Sequence, residues 1–405
     1  MSAVVGALSE AWAELRHHKL RVLLSLVGIA VSVAAIAAVL AFGDYIRQQT
    51  IEQSDRYGGR EATISISATR TDGGTLDGAA FDAQVRAAAE RFGIDHLTRR
   101  ADQLAEPASV QLTDFVRPVS VRLADEDYAV IHRTTLHAGR WFTDGDAEWL
   151  APPVIVSEPL WQALGAPSLG ANPTLQLLGA LGGTYRIIGV TPAEWAGDNQ
   201  KTITLLTDTY LQRAETLSAN DSMSWELWVS PDTVDAIGPE LAAQLRAGAG
   251  SDVQVSLNRA DWGSRPEYQQ QVAIFELVTG LIAGLVLLLG GLGLVNIQLV
   301  AMRQRIREIG VRRSFGATSG RIFTTVLLEN VVATAVAGVI GIALAIIVMR
   351  TLFALGVVPP LQDNPPFPLR AALVALAAAV GIGAVAGFLP ALAAVRARVI
   401  DTLRF

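Results

Sequence analysis

Four long apolar stretches alternate with polar segments along the chain. They cover residues 22–42, 277–302, 323–349 and 371–395. A helix needs roughly 20 apolar residues to cross a hydrocarbon core of about 30 Å, and each stretch is long enough. The first also exceeds the apolar part of a signal peptide, roughly 7–15 residues, so we expect a retained anchor. The pattern predicts four transmembrane helices, with one large segment, residues 43–271, between the first two.

Residues 43–271 show the shorter periods of a globular domain. Alternating or β-rich runs predict strands, and three amphipathic runs predict helices. The predicted strands are 62–68, 117–123, 153–157, 185–190, 202–206, 225–230 and 252–257, and the predicted helices are 81–93, 158–165 and 239–249. The predicted fold class is an α-helical membrane protein with a large extracytoplasmic mixed α/β domain inserted between spans 1 and 2. The length of the insert suits two α/β subdomains.

Charge sets the orientation of the spans. Lysine and arginine are concentrated in residues 1–21, 303–321 and 396–405, so the positive-inside rule places these segments in the cytoplasm. The same rule places residues 43–271 and the proline-rich loop 350–370 outside. Residues 43–271 hold 18 Lys/Arg and 31 Asp/Glu, a balance of 18 − 31 = −13, against 32 − 38 = −6 for the whole chain. The acidity is external, which gives nucleic-acid binding no support.

Composition agrees with this division. The chain is 51% hydrophobic and 17% charged, too apolar for an average soluble domain and too mixed for a wholly membrane-embedded one. We therefore expect a multi-pass protein of the cytoplasmic (inner) membrane with its large domain outside the cytosol. Residues 1–21 carry apolar side chains at helical spacing, which predicts an amphipathic helix on the inner membrane face. A helical extension of the first span is the alternative.

The loop after the second span is dense in arginine. Its core, RQRIREIGVRRSFGAT (residues 303–318), holds five arginines. At the centre of a membrane helix each would cost about 2.5–3.5 kcal/mol, more in sum than about 20 apolar residues can offset. The run therefore lies outside the bilayer. Glu308 and Arg312 are spaced for an i,i+4 ion pair, Gly310 permits close approach of a partner, and Gly316 suits a helix end.

Two polar residues interrupt the third apolar stretch. Glu329 and Asn330 lie about two turns inside it, where an ionisable group indicates function unless it reaches the headgroups. Both interpretations stay open. Three small-residue pairs, Gly280/Gly284, Gly290/Gly291 and Gly383/Gly387, permit close helix contact and could form a dimer face.

The sequence contains none of the common catalytic or metal-binding patterns we sought. None of the five histidines belongs to an H-E-x-x-H motif, and there is no cysteine. The acidic runs 124–128 and 144–146 are more typical of solvated turns than of calcium loops. We therefore predict no catalytic residue, no metal site and no cofactor bound by this chain.

Several segments resemble the MacB/FtsX-type ABC transporter permeases. The first is LRHHKLRVLLSLVGIAVSVAAIAAVLAFG (15–43), a basic segment leading into the first span. In the insert, DYAVIHRTTLHAGRWFTDGD (127–146), PVIVSEPLWQALG (153–165) and YRIIGV (185–190) follow the order of the MacB-like periplasmic core. The most specific block is MRQRIREIGVRRSFGATSGRIFTTVLLENVVATAVAGVIGIALA (302–345), and FLPALAAVRARVIDTLRF (388–405) resembles the closing pattern.

The resemblance implies a function of mechanotransmission type. It implies that residues 303–321 form a cytoplasmic coupling helix that docks on an ABC ATPase, with the coupling residues Arg305, Arg307, Glu308, Gly310, Arg312, Arg313 and Gly316. The chain has no G-x-x-x-x-G-K-[ST] phosphate loop, so ATP is expected on a separate nucleotide-binding subunit. The expected partners also include a second permease chain, the same or paralogous, and possible contact with a periplasmic adaptor.

Alternatives remain at this stage. Within the class, the motion could drive efflux, lipoprotein release or activation of a cell-wall hydrolase. The arginines of the loop could instead only set topology and contact lipid headgroups. From another class, a receptor or scaffold that works without an ATPase would have the same topology, although it would not account for the resemblance of the arginine-rich block.

Overall fold

The computed structural model divides the chain into two compact units. It describes residues 19–102, 104, 108–112, 115–193, 198–212, 223–259, 261, 270, 272–286, 288–293, 295–296, 318–358, 361–363 and 366–396. One unit, here called the helical unit, comprises Met1–Thr50 and Gln270–Phe405; the other, the α/β unit, comprises Ile51–Gln269.

The described residues form nine α-helices and eleven strands. The helices are α1 (Lys19–Gly58), α2 (Gly78–Phe92), α3 (Tyr128–Ile131), α4 (Glu158–Ala163), α5 (Thr207–Leu211), α6 (Val234–Ala249), α7 (Val272–Gly293), α8 (Ser319–Ala354) and α9 (Leu369–Arg396). The strands are β1 (Thr63–Arg70), β2 (His96–Ala101), β3 (Ala108–Gln111), β4 (Val116–Ala124), β5 (Ala138–Gly139), β6 (Pro153–Ser157), β7 (Thr174–Leu178), β8 (Gly183–Thr191), β9 (Thr202–Leu206), β10 (Ser224–Trp228) and β11 (Val253–Arg259).

The four predicted spans correspond to α1, α7, α8 and α9, each long and apolar enough to cross a membrane. Small residues let these helices approach closely. A Cβ added at Gly341 of α8 would lie 2.5 Å from the carbonyl oxygen of Ala30 of α1. Val33, Ala337 and Ala379 are fully buried in the shared apolar core. Large side chains face outward, as expected of helices whose surroundings are lipid.

One half of the α/β unit is an antiparallel sheet with two helices. Its strands run in the order β11-β1-β10-β2. The connections β1-α2-β2 and β10-α6-β11 give the β-α-β-β-α-β pattern of a ferredoxin-like fold. Phe81 of α2 meets Trp225 of β10 edge to face, with ring centroids 4.9 Å apart. Val85 of α2 and Leu241 of α6 are fully buried in the same core.

The other half is a closed ring of six strands inserted between β2 and β10. Strand β4 pairs with β3, β3 with β7, β7 with β8, β8 with β6, β6 with β9, and β9 again with β4. Two of these pairs, β6–β8 and β4–β9, are parallel. Closure leaves no free edge among the six strands. The α/β unit thus comprises one helix-covered sheet and one strand ring, joined where β2 pairs with β4.

Most predicted elements of the insert are present. Strands 153–157 and 202–206 have the predicted bounds, and the other five predicted strands differ by one or two residues at each end. Strands β2, β3, β5 and β7 were not predicted. The first span was predicted for residues 22–42, and helix α1, which contains this stretch, continues through polar residues to Gly58.

Candidate functional site

Helix α1 is too long to be a membrane anchor alone. Its 40 residues span about 60 Å at about 1.5 Å per residue, twice the roughly 30 Å of a hydrocarbon core. Apolar residues fill its first half, and its last two turns are polar and belong to the α/β unit. One continuous helix therefore leads from an apolar segment into the folded insert.

Helix α1 is followed by a glycine, Gly59, whose backbone conformation and close neighbours exclude a larger residue. Gly59 has φ +80°, and its N–H donates to the Asp55 carbonyl oxygen at 3.0 Å. A Cβ at this position would lie 2.6 Å from Thr63 Oγ1. The positive φ is strained for residues with a side chain, so only glycine makes this sharp exit from the helix without strain and overlap.

A buried ionic group holds the last carbonyls of α1. Glu226 of β10 is 3% exposed, and its carboxylate contacts His132 Nε2 at 2.5 Å and accepts from Arg100 Nη1 at 3.1 Å. His132 Nδ1 lies 3.0 Å from the Arg56 carbonyl oxygen, and Arg100 Nη1 donates to the Tyr57 carbonyl oxygen at 2.9 Å. We call Arg100, His132 and Glu226, with these two carbonyls, the helix-end cluster.

The acceptors in this cluster indicate which nitrogen atoms of His132 carry hydrogen. A carbonyl oxygen only accepts, so Nδ1 of His132 carries a hydrogen. Nε2 faces a carboxylate, so a further proton lies between Nε2 and Glu226. Burial raises the pKa of Glu226, but the hydrogen bond and charge of His132, with those of Arg100, outweigh it and hold the pKa below the ordinary value of 4.5. Cationic donors also suit the negative end of the helix dipole.

Residues of α3 and of the segment that follows it also contact the region around the end of α1. The ring of His132, itself fully buried, stacks on Tyr128 with centroids 4.1 Å apart. Arg133 Nη1 lies 3.4 Å from the Asp55 carboxylate. Arg60 Nε donates to the Val130 carbonyl oxygen at 2.8 Å. Contacts from the inserted ring and from the sheet thus meet at one helix terminus.

A second ionic group joins the two halves of the α/β unit. Arg99 of β2 is 5% exposed, and its Nε donates to Asp125 at 2.8 Å just after β4. Its Nη2 donates to Asp208 of α5 at 2.6 Å. Charged residues in the middle of β2 concealed this strand from pattern-based prediction. Burial with matched carboxylates explains why they are tolerated there.

The predicted coupling residues lie outside the described part of the chain. These are Arg305, Arg307, Glu308, Gly310, Arg312, Arg313 and Gly316. The structure does not test them, and they remain predictions. Among the described residues there is no group of three or more His, Asp or Glu side chains arranged to hold a metal ion.

The two polar residues of the third span differ in burial on α8. Glu329 is half-buried, whereas Asn330 is 6% exposed and its Nδ2 donates to the Val326 carbonyl oxygen at 2.9 Å. Asn330 packs against Gly387 of α9, where an added Cβ would lie 2.9 Å from Asn330 Cβ. The Gly383/Gly387 pair is thus used for a contact between helices of one chain. A Cβ at Gly280 or Gly284 would meet no described atom within 4 Å.

The helix-end cluster was not predicted from the sequence. The histidines were compared only with a metal-binding motif, and Glu226 was only part of the strand predicted at 225–230. A carboxylate flanked by Trp225 and Leu227, both fully buried in the core, was a usable signal, since a buried charge requires a partner. The identity of the partners could not be read from sequence, because His132 is 94 residues away.

Fold and site together define a class of protein: a multi-pass membrane protein with a periplasmic-type α/β domain inserted after its first helix. Comparison with known families makes this specific. Residues 22–249 match the MacB-like periplasmic core domain, and residues 280–399 match the FtsX-like permease C-terminal domain. The chain belongs to the MacB/FtsX family of ABC transporter permeases.

Several curated relatives resemble most of the chain. A macrolide export ATP-binding/permease protein MacB of Nitrosomonas europaea is 26% identical over 95% of this chain. The chain spans 57% of that relative's length. The uncharacterized ABC transporter permease YknZ of Bacillus subtilis is 25% identical over 81% of this chain and 82% of its own length.

Solved structures of related domains match about half of the chain. The extracellular domain of YknZ from Gram-positive bacteria covers 48% of it with a TM-score of 0.36 and 16% identity, with 99% of that domain matched. The periplasmic region of MacB from Actinobacillus actinomycetemcomitans covers 53% with a TM-score of 0.39 and 15% identity, with 94% of that region matched.

Proposed function

We propose that the chain transmits ATP-driven motion of a nucleotide-binding subunit to its α/β unit, and that the motion exports a substrate. The observation that carries this proposal is helix α1, one unbroken helix of 40 residues that ends in the helix-end cluster. A helix of this length can convey movement from a membrane segment, provided that its far end is firmly held. The helix-end cluster supplies that hold.

The strength of the hold follows from burial. His132 is fully buried and Glu226 nearly so. Removing one partner of such a pair leaves an uncompensated charge and costs about 3–5 kcal/mol. His132 and Arg100 also donate to carbonyls of the helix, so the helix end cannot move without breaking these two hydrogen bonds. The helix-end cluster therefore opposes both axial displacement and rotation of the end of α1.

The names of the relatives support export as the outcome. Relatives 26% and 27% identical to this chain are named for macrolide export and for pyoverdine export. Those proteins are named ATP-binding/permease proteins, and for this chain we place ATP on a partner subunit that docks at residues 303–321. The working complex then contains two permease chains, the same or paralogous, in the cytoplasmic membrane. Lipoprotein release and hydrolase activation are the competing outcomes of the same motion.

Spin labels would test the transmission step directly. The chain has no cysteine, so Ala243→Cys on the exposed face of α6 introduces one label per chain. In the complex with its ATPase, we expect the distance between the labels of two chains to change on ATP binding. Glu226→Gln should abolish that change and leave ATPase binding intact. Glu240→Gln, an exposed carboxylate on α6, is the matched control and should behave as the parent does.

The ATPase partner requires a separate experiment. The tagged chain, purified in mild detergent from its own membranes, should retain a nucleotide-binding subunit. Replacing Glu308 and Gly310 should release that subunit without reducing membrane insertion. Failure to recover any ATPase, even after crosslinking, would favour the receptor or scaffold alternative. Lipoprotein or a cell-wall hydrolase in the purified complex would favour the competing outcomes over efflux.

A further inference from the structure

A cavity of about 110 Å³ lies in the α/β unit next to the helix-end cluster. About 10–15 Å³ of such space suffices for one water molecule, so the cavity has room for a small ligand. Arg56 and Tyr57, whose carbonyls belong to the cluster, contribute to its wall, as do Arg100 and Tyr128. No function assigned above uses this space.

The floor of the cavity is a polar strip on the strand ring. Arg122 of β4 is paired with Thr204 of β9 in the parallel register, which brings a guanidinium beside a hydroxyl. Thr202 N–H donates to Ser157 Oγ of β6 at 3.0 Å, and Thr191 of β8 also lines the space. Four neighbouring strands thus present polar side chains where an ordinary core would be apolar.

Two donors that line the cavity, one on β9 and one on α1, are not engaged by any described side chain. Thr204 is 5% exposed, and its hydroxyl makes no side-chain hydrogen bond to any described residue. The Thr204 hydroxyl borders the cavity, where it can donate to a ligand. Arg56 forms no ion pair with any described carboxylate. A donor thus stands at the buried floor and another at the exposed wall.

The charges that line the cavity favour an anion. The cavity is lined by three arginines, Arg56, Arg100 and Arg122, and by one acidic residue, Asp198. Arg100 is also bound to Asp102 and Glu226, and Arg122 approaches Asp102 at 3.3 Å. Asp198 accepts from the Gln200 N–H at 2.9 Å. Arg56 is therefore the lining cation whose charge is left for a ligand, and guanidinium groups match carboxylate and phosphate oxygens in geometry.

Aromatic groups complete the wall. Trp141 lines the cavity, and its Nε1 already donates to the Asp125 carbonyl oxygen at 3.1 Å, so its ring is what remains for contact with a ligand. Tyr57 is 51% exposed. A ligand with a short carbon skeleton therefore has ring surface to contact beside the polar groups of the cavity.

We propose that this cavity is a binding site for a small anion carrying a carboxylate or a phosphate group. The inference goes beyond the transport function and does not depend on it, because binding to the full chain requires no ATPase. A ligand seated here would contact the side chains of the two residues whose carbonyls end α1.

Calorimetric titration of the full chain in detergent micelles tests the proposal. The probes are inorganic phosphate, acetate and succinate, each against sodium chloride of matched ionic strength, with glucose as the neutral probe. We expect saturable binding of at least one acidic probe and none of glucose. Arg56→Gln and Thr204→Val should each weaken that binding about tenfold, the factor that corresponds to about 1.4 kcal/mol.

Arg117→Gln is the matched control, because Arg117 lies on the same strand as Arg122 but is exposed and does not line the cavity. Its affinity should equal that of the parent chain. Tight binding of phosphate alone would assign a phosphorylated ligand, and of acetate or succinate alone a carboxylic acid. The proposal is overturned if no acidic probe binds, if glucose binds equally well, or if Arg117→Gln weakens binding as much as Arg56→Gln.

Discussion

Glu226 is a buried carboxylate that holds two charged partners and, through them, the end of α1. It balances His132 and Arg100, and through them it determines where the last carbonyls of α1 find their hydrogen bonds. Such a residue is costly to bury alone and stable only when both partners are present. The same logic applies to Arg99 between Asp125 and Asp208. These charged groups sit at the junctions between segments that are distant in sequence.

Acid should weaken the protein through Glu226. Its pKa is below the ordinary value of 4.5 because the bonds from His132 and Arg100 outweigh the opposing effect of burial. A carboxylate with a depressed pKa contributes stability above the unfolded-state value, and this is lost as the pH falls through the folded-state value. We expect Glu226→Gln to lower the unfolding free energy by about 3–5 kcal/mol at pH 7, and by less below pH 4.

Thermal unfolding of the full chain in detergent between pH 7 and pH 3 measures the difference in stability between the parent chain and Glu226→Gln. The two melting curves should converge in acid. A difference between parent and variant that stays constant over the whole range would show that Glu226 is not ionised in the folded protein.

At the scale of elements, glycines decide how closely the membrane helices pack. A Cβ at Gly383 of α9 would lie 2.0 Å from Thr334 Oγ1 of α8. Gly381, on the same helix, has no described atom within 4 Å of an added Cβ. Sequence spacing alone does not separate these two glycines, because both lie in the same apolar stretch.

Gly383→Ala should therefore destabilise the α8–α9 contact, and Gly381→Ala should not. The expected loss is about 1–3 kcal/mol, typical of overpacking in a tightly packed interior. Differential scanning fluorimetry in detergent compares the two variants at equal helix propensity. Equal melting temperatures for the two variants would contradict the packing described here.

The end of α1 offers a second test at this scale. Gly59→Ala would force φ +80° on a residue with a Cβ and would overlap the Thr63 side chain. We expect a loss of about 1–2 kcal/mol from the backbone alone, together with displacement of the helix end from the helix-end cluster. Gly73→Ala is the control, since it has a similar φ of +72° but open space around an added Cβ. A larger loss at Gly59 than at Gly73, measured by thermal unfolding, isolates the contribution of the overlap.

At the scale of the molecule, the α/β unit has its own continuous core. Buried residues from both sheet halves form one apolar cluster, which includes Ile66, Leu123, Tyr185 and Leu227. The ring and the ferredoxin-like sheet also share the β2–β4 pairing. A segment with a complete core of its own is expected to fold without the rest of the chain.

Residues 51–269 should therefore form a soluble, cooperatively unfolding domain. Residues 63–269, which lack the end of α1, would leave His132 and Arg100 without the carbonyls of Arg56 and Tyr57. We expect the shorter fragment to unfold at lower temperature, as followed by circular dichroism. Equal stability of both fragments would show that the helix-end cluster does not hold α1.

The sequence by itself determined the number of long apolar helices and the family. Long apolar runs and the block at residues 302–345 are local signals, so they identify four candidate spans, an inserted α/β domain and an ABC permease without any tertiary information. Short runs rich in apolar and β-branched residues likewise located β6 and β9, which are buried along nearly their whole length.

Only the tertiary structure decided what the charged residues of the insert do. His132, Arg100 and Glu226 belong to three different segments, and the sequence does not show that they are partners. Closure of β9 onto β4 and the exit of α1 at Gly59 bring together the helix-end cluster and the cavity beside it. Side-chain periodicity indicates whether a residue is buried. The role of a buried charged residue depends on its partner, and partners that are far apart in sequence meet only when the chain has folded.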